Sequence, residues 1–110
     1  MTNVVHLPVY ATGFRGEDIE ASLQQLAPMS LRYGASRYEV VRSRDDRYKF
    51  LLSIEFEDKS GWDRFWFGEE FTEWRMACSS WYTVPLLYVW QDLVSYGEVR
   101  DPVAAGEHEG

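Results

Sequence analysis

The chain of 110 residues contains one cysteine, Cys78, so it can form no internal disulfide. A structural zinc site and an iron–sulfur cluster both lack their thiolate ligands for the same reason. Cys78 has no companion base beside it in sequence, and we interpret it as buried and inert. We therefore predict no cofactor and no metal site, in a protein of a reducing compartment, the cytoplasm.

Basic charge is also scarce, because 11 Lys and Arg face 18 Asp and Glu, for a formal net charge of −7. The nearest approach to a basic cluster, residues 42–47, contains two aspartates among its three arginines and is typical of a solvated turn. Nucleic-acid binding needs a basic stripe, so we predict no nucleic-acid partner. No apolar run approaches the roughly 20 residues that span a bilayer, and the start lacks the pattern of a leader, so we expect no membrane partner.

Aromatic residues are abundant, at 16% of the chain, and all the tryptophans fall within residues 60–96. They are Trp62, Trp66, Trp74, Trp81 and Trp90. With 45% apolar residues, the composition indicates one packed domain, which we place at residues 1–96. Residues 97–110 are acidic and without periodicity, so we expect a tail that is mobile or lies across a partner.

Four segments are predicted to be strands. In residues 4–11, Val5, Leu7 and Val9 alternate with polar or bulky residues, although Pro8 requires a bulge or a missing partner there. Residues 48–57 alternate most cleanly, and residues 37–44 are typical of an edge strand. Residues 86–96 are apolar on both faces, which predicts a strand covered on both sides.

Two segments are predicted to be helical. Residues 17–33 have apolar residues at helical spacing, and Pro28 should end or kink the helix before Gly34. Residues 60–78 carry two aromatic stripes on different sides, so we predict a break at Gly68. Ser60 and Asp58 are alternative caps for the start of this second helical segment.

The predicted order is strand, helix, strand, strand, helix, strand. This order favours an α+β fold of the ferredoxin-like split βαβ type (βαββαβ), with a four-stranded antiparallel sheet and both helices on one face. The other face would still present large aromatic side chains to water. We therefore expect a homodimer in which two such faces close on each other.

The segment from residue 48 to 59, YKFLLSIEFEDK, precedes an aromatic helix broken at Gly68 and a second short helix. This arrangement resembles the dimeric α+β-barrel superfamily, in particular its antibiotic-biosynthesis-monooxygenase-like group. The resemblance covers roughly residues 4–96. It implies a dimeric barrel made of two sheets, in a superfamily that includes cofactor-independent quinone-forming monooxygenases, haem-degrading enzymes, lactone isomerases and polyketide cyclases.

The haem-degrading members use an asparagine on the first strand, a tryptophan before the helix break and an axial histidine after it. By the resemblance these positions fall on Pro8, on Phe65 or Trp66, and near Trp74. Only the tryptophan is retained, as Trp66, so haem ligation is not predicted.

Two residues are candidates for catalysis. His6 lies on the less aliphatic side of the first strand and could act as a general base, since its ordinary pKa lies near neutrality. Glu55 lies on the polar side of the third strand, with Ser53, as a candidate acid–base group. The alternative for both is an ordinary half-exposed strand residue, and the acidic pair Glu69 and Glu73 fits a solvated helix face better than a metal site.

Four aromatic residues are candidates for ligand binding: Tyr10, Trp66, Tyr88 and Trp90. Tyr88 and Trp90 share a strand face that Trp66 could overhang, which suits stacking on a flat polycyclic or quinone-like ligand. Core packing is the alternative explanation of the same aromatics. Two hypotheses of function follow. One is a small-molecule-binding dimeric barrel that acts as a cofactor-independent monooxygenase on a flat aromatic metabolite. The other is a non-catalytic homodimeric binding or interaction module.

Overall fold

The structure, a computed structural model, describes residues 2–99. In chain order its elements are β1 (Asn3–Tyr10), α1 (Gly16–Leu26), a 3₁₀ helix (Ala27–Tyr33), β2 (Ala35–Arg42), β3 (Lys49–Phe56), α2 (Lys59–Trp66), α3 (Glu69–Ala77) and β4 (Val89–Asp92). Most of the predicted acidic tail lies outside the described residues, and its mobility stays a prediction. Within residues 2–99, no helix combines the length and apolarity needed to cross a membrane.

The four strands form one antiparallel sheet in the order β2, β3, β1, β4. β1 is therefore central, although it comes first in the chain, and β2 is an edge strand, as predicted. The helices pack on one face of the sheet. The predicted fold class, a ferredoxin-like α+β domain with a four-stranded antiparallel sheet, is confirmed.

Alternation along the central strands separates the two faces of the sheet. Val5, Leu7 and Val9 of β1 are fully buried toward the helices, and alternate residues of β3 join them. His6 and Tyr10 point to the opposite face, here called the open face. Pro8 pairs in unbroken register with Leu51 of β3, but β4 pairs with β1 only as far as His6. The missing partner expected near Pro8 is thus found on the β4 side.

The helical segment predicted at residues 17–33 is divided near Pro28, as predicted. α1 ends at Leu26, and the chain tightens into the 3₁₀ helix, whose first turn contains Pro28. Proline has no N–H to continue the α-helical pattern, which explains the change. Gly34 then stops the segment with φ of 98°, a left-handed conformation that glycine adopts without strain.

The second helical segment is broken at Gly68, as predicted. A Cβ atom there would lie 2.7 Å from the Arg64 carbonyl oxygen and 2.9 Å from the Tyr33 hydroxyl, so only glycine fits. At the start of α2, the Asp58 carboxylate accepts a hydrogen bond from the Gly61 N–H at 3.2 Å. Asp58 is therefore the cap, and Ser60, the other alternative, donates its hydroxyl to Asp58 instead.

The last strand is shorter than predicted, because only Val89–Asp92 of residues 86–96 pairs with β1. Val89 is 52% exposed on the open face, so one chain leaves that side of β4 uncovered, and its cover by a second subunit stays a prediction. After Asp92 the chain leaves the sheet edge and crosses the open face, where the Tyr96 ring lies 5.4 Å from the Arg37 guanidinium of β2. We call residues 93–99 the crossing segment.

Candidate functional site

Five aromatic side chains from α2, from α3 and from the residue just before β4 form what we call the aromatic cluster: Trp62, Phe65, Trp66, Phe71 and Tyr88. Trp62 is fully buried at its centre, with ring centroids 5.0 Å from Tyr88 and 5.4 Å from Trp66. The helical spacing of residues 62, 65 and 66 turns all three rings to the same side of α2. The cluster is thus a consequence of one helical stripe meeting the chain that leads into β4.

Arg75 of α3 places a cation against this cluster. Its guanidinium carbon lies 4.2 Å from the centroid of the Trp66 ring and 5.0 Å from that of Phe71. Nη2 donates to the Trp66 carbonyl oxygen at 2.7 Å, whereas Nη1 is buried and has no hydrogen-bond partner among the described residues. Burial lowers the pKa of Arg75. The group nevertheless stays cationic near neutral pH, because arginine keeps its proton in proteins.

A second buried donor of the cluster also lacks an acceptor. The indole N–H of Trp62 has no hydrogen-bond partner among residues 2–99. Buried N–H groups are normally paired, so two orphan donors in one cluster are unusual. Together with the positive charge of Arg75, they favour an acceptor that carries negative charge, such as a phenolate or enolate oxygen.

Trp66, Tyr88 and Trp90 lie on the helix side of the sheet. Trp90 pairs directly with the buried Val5, and directly paired residues of antiparallel strands share a face. Tyr88 contacts Trp66 with ring centroids 5.4 Å apart. The structure thus brings Trp66 and Tyr88 into contact and places Trp90 on the same face of the sheet.

His6 and Glu55 lie on the open face, across the sheet from the aromatic cluster. They line a hollow of about 300 Å³ together with Ser53 and Tyr96, which the crossing segment partly roofs. The Glu55 carboxylate lies 3.5 Å from Arg37 Nη1 in an ion pair. A ligand in this hollow would meet acid–base groups, but not the ring of Trp66.

Tyr10 occupies a third position, near the far end of the open face. It lines a separate depression with Pro8 and Leu51, and the Lys49 ammonium lies 5.9 Å from its ring centroid. The residues predicted to line one pocket therefore lie in three places. His6 and Tyr10 line two separate depressions on the open face, and the aromatic residues Trp66, Tyr88 and Trp90 lie on the helix side of the sheet. The register of β1 against β4 is the reason, because it turns Trp90 toward Val5 and not toward His6.

Arg75 is the site residue that sequence reasoning missed. It follows Phe71 by four residues on α3, the spacing at which helical side chains meet. The sequence did contain a signal for this contact. Arg75 lies on an aromatic stripe of its helix, and no acidic residue lies three or four positions away to pair with it.

The position aligned with the axial histidine of haem-degrading proteins holds a structural residue. Trp74 is only 7% exposed, and its indole N–H donates to the Ser22 hydroxyl at 2.9 Å. Residues 2–99 contain no group of three or more His, Cys, Asp or Glu side chains that could hold a metal ion.

Structure comparison identifies the fold, whereas sequence comparison identifies no relative. No family model matches the chain, and no curated protein has a significantly similar sequence. A protein of Nitrosomonas europaea named as a candidate antibiotic biosynthesis monooxygenase superposes with a TM-score of 0.76 at 18% identity, covering 87% of this chain and 94% of that one. A candidate of the same name from Bordetella bronchiseptica gives 0.73 at 20% identity, over 86% and 98% of the two chains.

A third structure is described as a cofactor-independent oxygenase. It is a variant of SnoaB from Streptomyces nogalater, with a TM-score of 0.74 and 14% identity over 86% of this chain and 95% of that one. At these identities the likeness establishes the fold, which is that of the antibiotic-biosynthesis-monooxygenase-like proteins. The resemblance predicted from the sequence is confirmed at that level.

Proposed function

We propose that the chain is a small-molecule-binding α+β-barrel protein and a cofactor-independent monooxygenase of a flat aromatic or quinone-like metabolite. The observation that carries the proposal is the buried, incompletely paired guanidinium of Arg75 on the ring of Trp66. The fold shared with a cofactor-independent oxygenase supports it.

In the proposed complex a phenolic ring system stacks against Trp66 and Tyr88, and Trp90 closes the side nearest β1. Because Arg75 Nη1 is buried in the free protein, the cluster opens in this complex so that the phenol oxygen can accept from Nη1. A cation beside a phenol favours the phenolate and lowers its pKa, so the substrate proton passes to solvent near neutral pH. The aromatic walls exclude water from the resulting electron-rich ring.

The reaction consumes one O₂ for each activated methylene carbon of the substrate. Loss of one proton, from the methylene carbon or from the phenol oxygen of its enol tautomer, gives the same delocalised anion, which forms a C–O bond with O₂ and becomes a hydroperoxide after protonation. Loss of water from that hydroperoxide leaves a carbonyl, so a CH₂ group and O₂ become a C=O group and H₂O. The substrate supplies all the electrons, and Arg75 stabilises the anion on which the rate depends.

His6 and Glu55 are proposed as acid–base groups only for a ligand in the hollow on the open face, and Tyr10 as a contact for a ligand at its far end. These three residues lie on the opposite face of the sheet from Arg75 and so cannot contact a substrate ring that Arg75 holds. Parallel tests of His6→Ala and Arg75→Met would therefore identify which face binds the substrate.

We further propose a homodimer formed through the open faces. Apolar side chains on that face remain half-exposed in one chain, including Tyr10 at 45%, Val41 at 49% and Val89 at 52%. A patch of this kind favours association. The cytoplasm remains the proposed compartment, supported by the lone buried thiol of Cys78.

Oxygen consumption tests the proposed reaction directly. With a dihydroxyanthrone as substrate, the protein should raise the rate of O₂ uptake above the spontaneous rate. Arg75→Met should reduce that increase by at least about tenfold, as expected for loss of a charged group that stabilises an anion. Arg32→Met, an exposed arginine outside the cluster, is the matched control and should leave the rate unchanged. Equal rates in the two variants would contradict the role of Arg75.

The non-catalytic binding or interaction module is the second candidate function. It is favoured by the close packing of the cluster, in which Trp62, Trp66 and Tyr88 contact one another as core residues do. Binding of the anthrone without any increase in O₂ uptake would support this function instead.

A further inference from the structure

A groove runs between α1 and α3 on the outer side of the molecule, away from the sheet. It has a volume of about 540 Å³, which suits a small organic ligand. Its apolar floor and walls include Leu26, Met29, Trp74, Cys78 and Trp81. We call it the helix groove.

Short side chains explain why the groove exists. α1 contributes Ala21 and Ser22 to its walls, and α3 contributes Ala77 together with Cys78. These side chains are too small to fill the space between two helices at ordinary packing distance. The groove is therefore encoded by residue size on both helices.

Two polar side chains in the floor, Trp74 and Ser22, are already hydrogen-bonded. Trp74 Nε1 donates to Ser22 Oγ at 2.9 Å, and Ser22 Oγ donates to the Ile19 carbonyl at 2.8 Å. Burial raises the pKa of the Cys78 thiol, which stays protonated and neutral. In the floor, therefore, neither Trp74 nor Ser22 leaves a free donor for an anion.

The rim carries negative charge only. Asp18, Glu70 and Glu73 line the groove, and no Lys, Arg or His does. Asp18 forms an ion pair with Arg15 at 2.9 Å, and Glu70 accepts from the Tyr33 hydroxyl at 2.5 Å. Glu73 has no ion-pair partner among the described residues. Its carboxylate is thus free to meet a positive charge.

A cation already lies against one aromatic wall. The Arg15 guanidinium carbon is 5.2 Å from the centroid of the Trp81 ring. Indole faces attract cations, and the attraction of the Trp81 ring for a cation adds to that of the nearby carboxylates. Arg15 thus already occupies the Trp81 face and pairs with Asp18, so the carboxylate that remains for a positively charged ligand is that of Glu73.

From this complementarity we propose that the helix groove binds a small organic cation, an ammonium group attached to an aryl or alkyl body. The ammonium lies at Glu73, and the apolar body covers Trp74 and Met29. This site is separate from the aromatic cluster, on the other side of α3, and its occupancy does not depend on oxygenase activity.

Phenylbutylamine and phenylbutanoate, which have similar shape and opposite charge, are the matched probes. In calorimetric titrations of the parent protein, the amine should bind at least about tenfold more tightly than the acid, because the rim repels the carboxylate. In spectra of ¹⁵N-labelled protein, the amine should shift the indole N–H resonances of Trp74 and Trp81. Those of Trp62, Trp66 and Trp90 should stay in place.

Two variants test the geometry. Glu73→Gln should weaken amine binding by about threefold to fivefold, the range expected for one partly exposed ion pair. Glu69→Gln, on the same helix but outside the groove, is the control and should change little. Ala21→Leu, which adds volume to the wall, should weaken the amine without altering charge.

Three results would overturn the proposal. They are equal affinity of the two probes, equal effects of Glu73→Gln and Glu69→Gln, and shifts at Trp66 or Trp90 in place of Trp74 and Trp81. Loss of oxygenase activity in Arg75→Met leaves the test unaffected, so failure of the two proposals can be told apart.

Discussion

Arg75 donates to the backbone carbonyl of Trp66, nine residues earlier in the chain, at 2.7 Å while its guanidinium covers the ring of the same tryptophan. This double contact joins the C-terminal end of α2 to α3 across the break at Gly68. The last carbonyls of a helix lack partners within the helix, and here a side chain supplies one. The residue proposed to hold the substrate anion thus also fixes the angle between the two helices.

Replacing Arg75 should therefore affect stability as well as binding. Arg75→Met keeps an apolar side chain on Trp66 but loses the hydrogen bonds, and we expect the free energy of unfolding to fall by about 1–2 kcal/mol. Arg75→Lys, which keeps the charge, should lose less. Urea denaturation followed by tryptophan fluorescence measures both. A more stable Arg75→Met variant would show that burial of the cation outweighs its contacts.

Gly61 is required by close packing and not by its backbone conformation. A Cβ atom there would lie 2.8 Å from the Phe56 ring and 2.9 Å from the Tyr33 carbonyl oxygen. Gly61→Ala should lower the free energy of unfolding by about 1–3 kcal/mol, as overpacking does. Gly13→Ala is the control, since a Cβ atom at Gly13 meets nothing within 4 Å. Similar losses in both variants would contradict this explanation.

The Tyr33 hydroxyl, which donates to Glu70 at 2.5 Å, should make stability depend on pH at both ends of the range. This hydrogen bond lowers the pKa of Glu70 below its ordinary value of 4.5. The stabilisation is present above that value and is lost as pH falls through the lower pKa of the folded state. The same bond raises the pKa of Tyr33, so at the alkaline end it is lost as pH rises through the raised value.

Tyr33→Phe tests this linkage. Thermal unfolding midpoints of the parent and the variant should differ at neutral pH and converge as pH falls through the lowered pKa of Glu70, below which the carboxylate is protonated in both. A difference that is independent of pH would indicate that the hydroxyl contributes only through packing.

The homodimer can be tested on the open face. Leu51→Glu adds a charge at the centre of that face and should convert a dimer into a monomer, because an unpaired charge is costly in an apolar interface. Leu31→Glu changes an exposed leucine on the 3₁₀ helix and should leave the mass unchanged. Light scattering gives both masses. A parent protein that is monomeric at micromolar concentration would contradict the dimer.

Local patterns predicted the elements well where one face of a strand or helix is buried. The alternation in β1 and β3 identified the buried face correctly, because a side-chain period of two follows from strand geometry. The break at Gly68 followed from two aromatic stripes that one helix cannot bury together. The choice between Asp58 and Ser60 as cap depended on local hydrogen bonding that two equally suitable side chains could satisfy.

The candidate site was harder to predict, since it depends on pairing between distant segments. That Trp66 and Tyr88 meet was predicted, but the face of β4 is decided by its register against β1. A shift of one residue would have placed Trp90 beside His6. Both alternating sets of residues within 86–96 are apolar, so the sequence of this segment does not show which set faces the helices.

The central position of β1 has a consequence for how the protein is made. β1 is synthesised before the other three strands, yet its neighbours are β3 and β4, and β4 is the last strand within residues 2–99. One edge of β1 thus remains unpaired until β4 has been synthesised. Such an edge invites pairing with other chains. A chain truncated before Val89 should therefore aggregate during expression. The four residues of β4 cover this edge of β1 and so protect the newly made sheet from aggregation.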